Sequence, residues 1–376
     1  MFLVVLRQMR LERLRTCVRI LAIAAIVAIV LILEGFLAGF YEQLRAAVMN
    51  RGGDLIVTQA GISNFMATRS ILPQVARLQV EEVEGVAATH PLTGLSAIYR
   101  RDDRLTPILI LVYDTAGGPV NIVDGHGITG DREIVIDRSL AARYDLRPGS
   151  TMEISGFAFT VAGVSANSSA FMTPFAFVNY DDLIDFYFES DIAEDIATFP
   201  LLSLVLVDVR PGEDPAAVAA RIEDHVELAD VFRPGDLAAS DVGLGRDMMG
   251  PILGLLLAVS YLIGVLVIGM FTFAAVSGRL RELGVMRALG VRARALGAAV
   301  LLEAMLLTLV ALPVGVGAAI AISAIIHELG PVYVLLPAEP AAVARTFVAS
   351  LVFASAGALL PVRAIARIDP SLVFRS

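Results

Sequence analysis

Apolar residues gather in four runs, 20–41, 251–277, 295–327 and 341–361, each long enough for the roughly 20 helical residues that cross a bilayer. The first is free of charge as far as Leu33 and then carries Glu34, and the second carries no charge. The third holds one charge, Glu303. It is too long for one upright crossing and too short for two with a turn, so it reads as one long helix, with a kink expected at Pro313. Arg345 stands near the start of the fourth run, where its head is expected to snorkel to the headgroups. Pro361 is expected to end that helix.

Between the first two runs lies a segment of different pattern, 42–250, made of short strands and a few helices. Strands are predicted at 54–59, 107–112, 133–136 and 204–209, where β-branched or apolar runs are bounded by turn residues. A helix at 139–144, a Pro148-Gly149 turn and two alternating strands around Ser155-Gly156 complete a compact unit. Pro211-Gly212 leads into an amphipathic helix at 215–225. The predicted architecture is a membrane protein: an α-helical four-span transmembrane domain with a large α+β extracytoplasmic domain inserted between spans one and two.

Composition agrees, with 57% hydrophobic and 18% charged residues against roughly 45–50% and 25% in soluble domains. All 29 basic residues are arginine, so a Walker A lysine and a Schiff base are excluded. The single Cys17 and four scattered histidines supply neither an intrachain disulfide nor a zinc-type cluster. The basic N-terminus 1–19, the segment 278–294 and the tail 362–376 hold 13 of the 29 arginines, against Glu12, Glu282 and Asp369. By the positive-inside rule these three segments are cytoplasmic. The acidic domain 42–250 and the short loop 328–340 are then outside.

No catalytic residue and no metal site is predicted. Gly125-His126-Gly127, continuing to Gly130, reads as a glycine-rich turn rather than a phosphate loop. Asp181, Asp182, Asp185, Glu189, Asp191, Glu194 and Asp195 read as a solvated face, since their spacing matches no EF-hand. Ser168-Ser169 lacks a nucleophile elbow. Inside the membrane, Glu303 is expected to bond across helices or to the cytoplasmic arginines. Glu34, with Glu42 two turns on, is expected to face a dimer stalk or water. Gly35 and Gly39 in span one, with Gly254, Gly264 and Gly269 in span two, could serve packing within one bundle or pairing of two chains.

The segment after span two runs Arg279, Leu280, Arg281, Glu282, Leu283, Gly284, Val285, Met286, Arg287, Ala288, Leu289, Gly290. Leu280, Leu283, Met286 and Leu289 fall on one side of a helix, with Arg279, Arg281, Glu282 and Arg287 around the remainder, and Gly290 fits a C-terminal stop. Amphipathicity alone leaves two readings open, a helix lying on anionic headgroups and a helix docking a partner. The run 281–290, with Leu302-Glu303-Ala304 and Ala366-Arg-Ile-Asp-Pro-Ser371, resembles the conserved core of the MacB/FtsX-type (type VII) ABC transporter permeases. Gly53-Asp-Leu-Ile-Val57 and Thr106-Pro-Ile-Leu-Ile-Leu111 resemble the DevC and LolC/LolE-like branch. The stretch from Leu302 to Pro313 is poorer in glycine than relatives commonly are.

The resemblance implies a permease subunit that is not itself an enzyme, and Arg279–Gly290 then acts as the ATPase-coupling helix. ATP and Mg belong to a separate cytoplasmic ABC ATPase subunit, and this chain carries no cofactor. The implied partners are that ATPase, a second copy of the chain or a paralogous permease, a periplasmic adaptor and membrane lipid, with no nucleic acid. The implied place is the bacterial inner membrane, with both termini cytoplasmic. The implied work is export or extraction of lipid, lipoprotein or another envelope substrate by mechanotransmission. The alternative is an FtsX-like transmitter that transports nothing and activates a cell-wall hydrolase.

Overall fold

The computed structural model describes residues 12–66, 68–183, 185, 201–278, 282, 285–287, 289–330 and 332–366. In chain order its helices are α1 (Arg13–Met49), α2 (Gln74–Glu81), α3 (Arg138–Tyr144), α4 (Pro215–His225), α5 (Pro234–Ser277), α6 (Ala293–Leu329) and α7 (Pro340–Ala366). The chain forms two compact units. A helical unit comprises Met1–Ala38, Pro251–Ile326 and Leu335–Ser376, and a sheet unit comprises Gly39–Gly250 and His327–Val334.

In the sheet unit β13 (Ala229–Phe232), β1 (Leu55–Gln59), β12 (Leu204–Val209), β3 (Val86–Arg101), β4 (Arg104–Tyr113), β10 (Thr173–Asn179), β6 (Glu133–Asp137), β8 (Phe157–Ser165) and β5 (Ile122–Gly125) lie side by side in that order. β7 (Thr151–Ile154) pairs with β8 and β9 (Ser169–Ala170) with β10, while β11 (Leu201–Leu202) and β2 (Leu72–Pro73) pair separately. The pairings are antiparallel except β10 with β4 and β6 with β8.

Both faces of this sheet are covered, which explains why its strands read as continuous apolar runs. Leu55, Val57, Val205 and Val207 join a core with Val80 of α2 and Val218 and Ile222 of α4. Their neighbours Ile56, Leu204 and Leu206 point the other way, to Phe175, Phe177, Leu44 of α1 and Leu237 of α5. Farther along, Ile134, Ile136, Ala176 and Val178 enter a third core with Phe157, Phe159 and Leu140. Each enclosed Val, Leu, Ile or Phe among these contributes on the order of 1.5–3 kcal/mol.

Local chemistry sets the ends. Asp137 caps α3 by accepting the Ser139 N–H, and Asp214 caps α4 by accepting the Ala216 N–H, with Pro215 at the first helical position. Ser155 and Gly156 both have positive φ, 51° and 86°, and close the β7–β8 hairpin over the Ile154–Phe157 pair, as a type I′ turn requires. The strand β3 is an addition to the sequence-based expectation. His90, Pro91 and Gly94 break its pattern, yet Pro91 lies where β3 pairs with β12 alone and needs no second ladder bond.

The helical unit packs on α1, whose apolar window is 44% buried against 17% for α5. Ile23, Val27 and Leu31 of α1 meet Ile268 of α5, Leu307 and Ala311 of α6 and Ala342 and Ala354 of α7. Small residues permit close approach, as expected where lipid removes the hydrophobic drive between helices. A Cβ on Gly315 would lie 2.7 Å from Val27, and one on Gly357 would lie 2.8 Å from Gly269. Gly35 is likewise used within the chain, its carbonyl accepting the Leu336 N–H at 2.9 Å and its Cα leaving no room for a methyl beside Pro337.

All four helices outrun their apolar runs. α7 continues through Pro361 to Ala366, so Pro361 does not end it; other contacts can satisfy the carbonyl that a helical proline frees. Pro313 lies inside an unbroken α6.

Candidate functional site

Three polar arrangements interrupt the apolar helical unit. Near the N-terminal end of α1, the Arg19 guanidinium lies 3.0 Å from Glu303 of α6 and 3.9 Å from Glu12, with Arg19 only 9% exposed. Glu303 thus has the cross-helix arginine partner expected of it. A charge so enclosed persists only when paired.

The second arrangement corrects an expectation. Glu34 is 7% exposed and is turned into its own chain rather than toward water. One oxygen accepts the Arg345 Nη2–H at 2.8 Å, and the other accepts the Tyr261 hydroxyl at 2.6 Å. Arg345 is therefore held by a carboxylate rather than only reaching for headgroups. The Arg345 side chain stays 61% exposed, so its head remains open toward the headgroups while it neutralises the enclosed Glu34 carboxylate, which needs a partner at that depth. Glu42, by contrast, is exposed and pairs with Arg45 at 3.3 Å.

The third arrangement is the connection between α5 and α6. Arg279, Leu280, Arg281, Leu283 and Gly284 lie outside the described residues. Glu282 and Val285–Arg287 are helical, and the turn closes on Gly290, whose φ is 93°. The Gly290 N–H donates to the Arg287 carbonyl and the Val291 N–H to the Met286 carbonyl, each at 3.1 Å. This is a Schellman stop, with Met286 and Val291 as its hydrophobic pair. Both side chains pack on a small core of Val276, Leu296, Val300 and Ala358. Met286 is thereby turned toward its own chain, while Glu282, Val285 and Leu289 are exposed, Leu289 by 80%. Their three- and four-residue spacing puts them on one helical face.

In the sheet unit the weaker motifs serve structure. The Thr129 and Gly130 N–H groups donate to Glu133 at 2.7 and 2.9 Å and hold its carboxyl below the usual range, so the glycine-rich run cradles the chain's own carboxylate. Asp182 accepts the Arg132 N–H at 3.0 Å, and burial raises its pKa. Glu189, Asp191, Glu194 and Asp195 lie outside the described residues. Among the described residues no group of three or more His, Cys, Asp or Glu could hold a metal ion. Ser168 donates its N–H to Asp137 at 3.1 Å, and Ser169 accepts from Gln43 at 3.1 Å.

Two features escaped sequence reasoning. Arg51 is 2% exposed and donates to the carbonyls of Ala47 and Gly117 at 3.1 and 2.6 Å, lying 5.1 Å over the Phe177 ring. Burial pushes its pKa down to about 10, which leaves it charged at neutral pH. The other is a groove of about 1410 Å³ between the β3–β4 hairpin, Met66, Phe171 and Leu244 and Met248 of α5. No periodicity marks it, because its lining comes from distant segments.

Residues 19–225 match the MacB-like periplasmic core domain family, and residues 254–370 match the FtsX-like permease C-terminal family. An uncharacterized ABC transporter permease of Mycobacterium tuberculosis and one of Mycobacterium bovis are each 22% identical over 378 residues, covering 100% of this chain and 99% of the relative. Among solved structures, the periplasmic region of MacB from Actinobacillus actinomycetemcomitans is 11% identical and covers 51% of this chain and 94% of its own, with a TM-score of 0.37. The extracellular domain of the noncanonic ABC-type transporter YknZ from Gram-positive bacteria is 14% identical and covers 48% and 100%, with a TM-score of 0.36.

Proposed function

Because the chain belongs to the MacB/FtsX-type ABC transporter permease family, we propose that it transmits the work of a separate cytoplasmic ATPase to its periplasmic sheet domain, for export or extraction of lipid, lipoprotein or another envelope substrate. The observation that carries this reading is the capped turn between α5 and α6. It offers Glu282, Val285 and Leu289 outward, while Met286 and Val291 anchor it to the helix ends. A push on the exposed face reaches both helices through that small core, in the manner of a rigid-body switch.

The arginine distribution supports an orientation with the 278–294 segment and both termini in the cytoplasm of a bacterial inner-membrane protein. ATP and Mg are bound by the ATPase, since a chain without lysine has no P-loop lysine to offer. The working assembly is two copies of this chain, or one copy with a paralogue, on the ATPase, with a periplasmic adaptor as a further partner. Pairing falls to exposed faces of the long helices. Gly35, Gly264 and Gly269 are occupied by the chain's own residues, whereas Gly254 meets nothing within 4 Å and Leu255, Leu262 and Leu266 are 59–66% exposed.

The test is co-purification. Val285→Asp with Leu289→Asp should remove the ATPase from the detergent-solubilised complex, because a desolvated carboxylate in an apolar contact is costly. Membrane insertion and the amount of permease should be unchanged. Full retention of the ATPase by the double variant would refute docking at this face.

A further inference from the structure

The β3–β4 hairpin has two unlike faces. Ala97, Tyr99, Ile108 and Ile110 are buried in the core beneath it. The opposite face carries Ile98 and Leu105, 60% and 52% exposed, and these line the groove together with Met248 of α5, itself 51% exposed. These three line one groove rather than standing singly on the surface, and polar and charged residues border them. The groove is open to the surface, with about 1410 Å³ of space along it, so it suits an extended occupant rather than an enclosed compact solute. Met66 and Met248, with flexible thioether chains, suit an occupant that is itself flexible.

Two charges of opposite sign line the same groove, Arg100 and Glu153. Neither makes an ion pair or side-chain hydrogen bond with any described residue, nor do they pair with each other. An occupant bearing both an anion and an amine would satisfy both, and its apolar part would cover Ile98, Leu105 and Met248. We infer that the groove binds one membrane phospholipid of the phosphatidylethanolamine type, its phosphate at Arg100, its ammonium at Glu153 and its acyl chains along the hairpin face. An extended peptide is the rival occupant, since among the described residues no strand pairs with the outer side of β3 beyond Leu92. The lining that is offered, however, is a side-chain face rather than a row of backbone groups, which favours the lipid.

The inference deepens the permease reading by naming a substrate class, and its test is separable from that reading. The full chain with its ATPase is placed in phosphatidylcholine nanodiscs containing a phosphatidylethanolamine with a diazirine on one acyl chain, irradiated, and mapped by mass spectrometry. Adducts are expected at Ile98, Leu105 and Met248, competed by unlabelled phosphatidylethanolamine. They should fall about tenfold for Arg100→Glu or for a headless diacylglycerol probe, the ratio for losing one charge-assisted bond of about 1.4 kcal/mol. Adducts confined to the apolar runs 20–41, 251–277, 295–327 and 341–361, equal labelling by the two probes, or displacement by a β-strand peptide but not by lipid would each overturn the assignment. Retention of the ATPase in the same samples reports on the permease reading independently.

Discussion

Arg19 and Glu303 stand 284 residues apart in the chain and 3.0 Å apart in the fold. If their pairing ties α1 to α6, then Arg19→Glu or Glu303→Arg alone places like charges together in a site that excludes water. Each should cost about 3–5 kcal/mol, read as a lower thermal midpoint of the full chain in detergent. The exchange of both should recover most of that loss, and a double variant no better than either single would show that the pair is not the tie. The need of Glu303 for a partner was legible from its place in an apolar run. The partners of Glu34 were not, because Arg345 and Tyr261 lie 311 and 227 residues away and nothing local marks three helices as meeting there. Charge burial states that a partner exists, and only the packing says which.

Elements were legible to the extent that their pattern was local. The four apolar runs and the 133–165 unit could be read because hydropathy, capping and turn residues agree there. β3 could not, since a proline and a glycine interrupt it and its length is set by successive neighbours, β12 and then β4. The early start of α5 was equally hidden, for Pro234–Gly250 is polar on one side and draws its apolar contacts, such as Leu237, from the sheet core. Helix packing yields a paired prediction. Gly357→Ala drives a methyl to 2.8 Å from the Gly269 backbone and should destabilise by about 1–3 kcal/mol. Gly254→Ala meets nothing within 4 Å and should be neutral or stabilising by up to ~1 kcal/mol. Thermal midpoints of the two variants decide it, and equal destabilisation would contradict the close approach of α5 and α7.

For the whole molecule, nucleotide is expected to act on this chain only through a separate ATPase, with the sheet domain moving in response. The most direct measurement is the distance between spin labels at Glu227→Cys in the sheet domain and Val348→Cys in α7, in a Cys17→Ser background, with the chain in nanodiscs. Glu227 and Val348 are exposed, so the labels should not disturb a core. A shift of the distance distribution is expected when the ATPase is present and ATP is trapped, none with nucleotide alone, and none when Val285→Asp and Leu289→Asp are added. A shift driven by nucleotide without the ATPase, or an unchanged distribution in the trapped complex, would contradict the account.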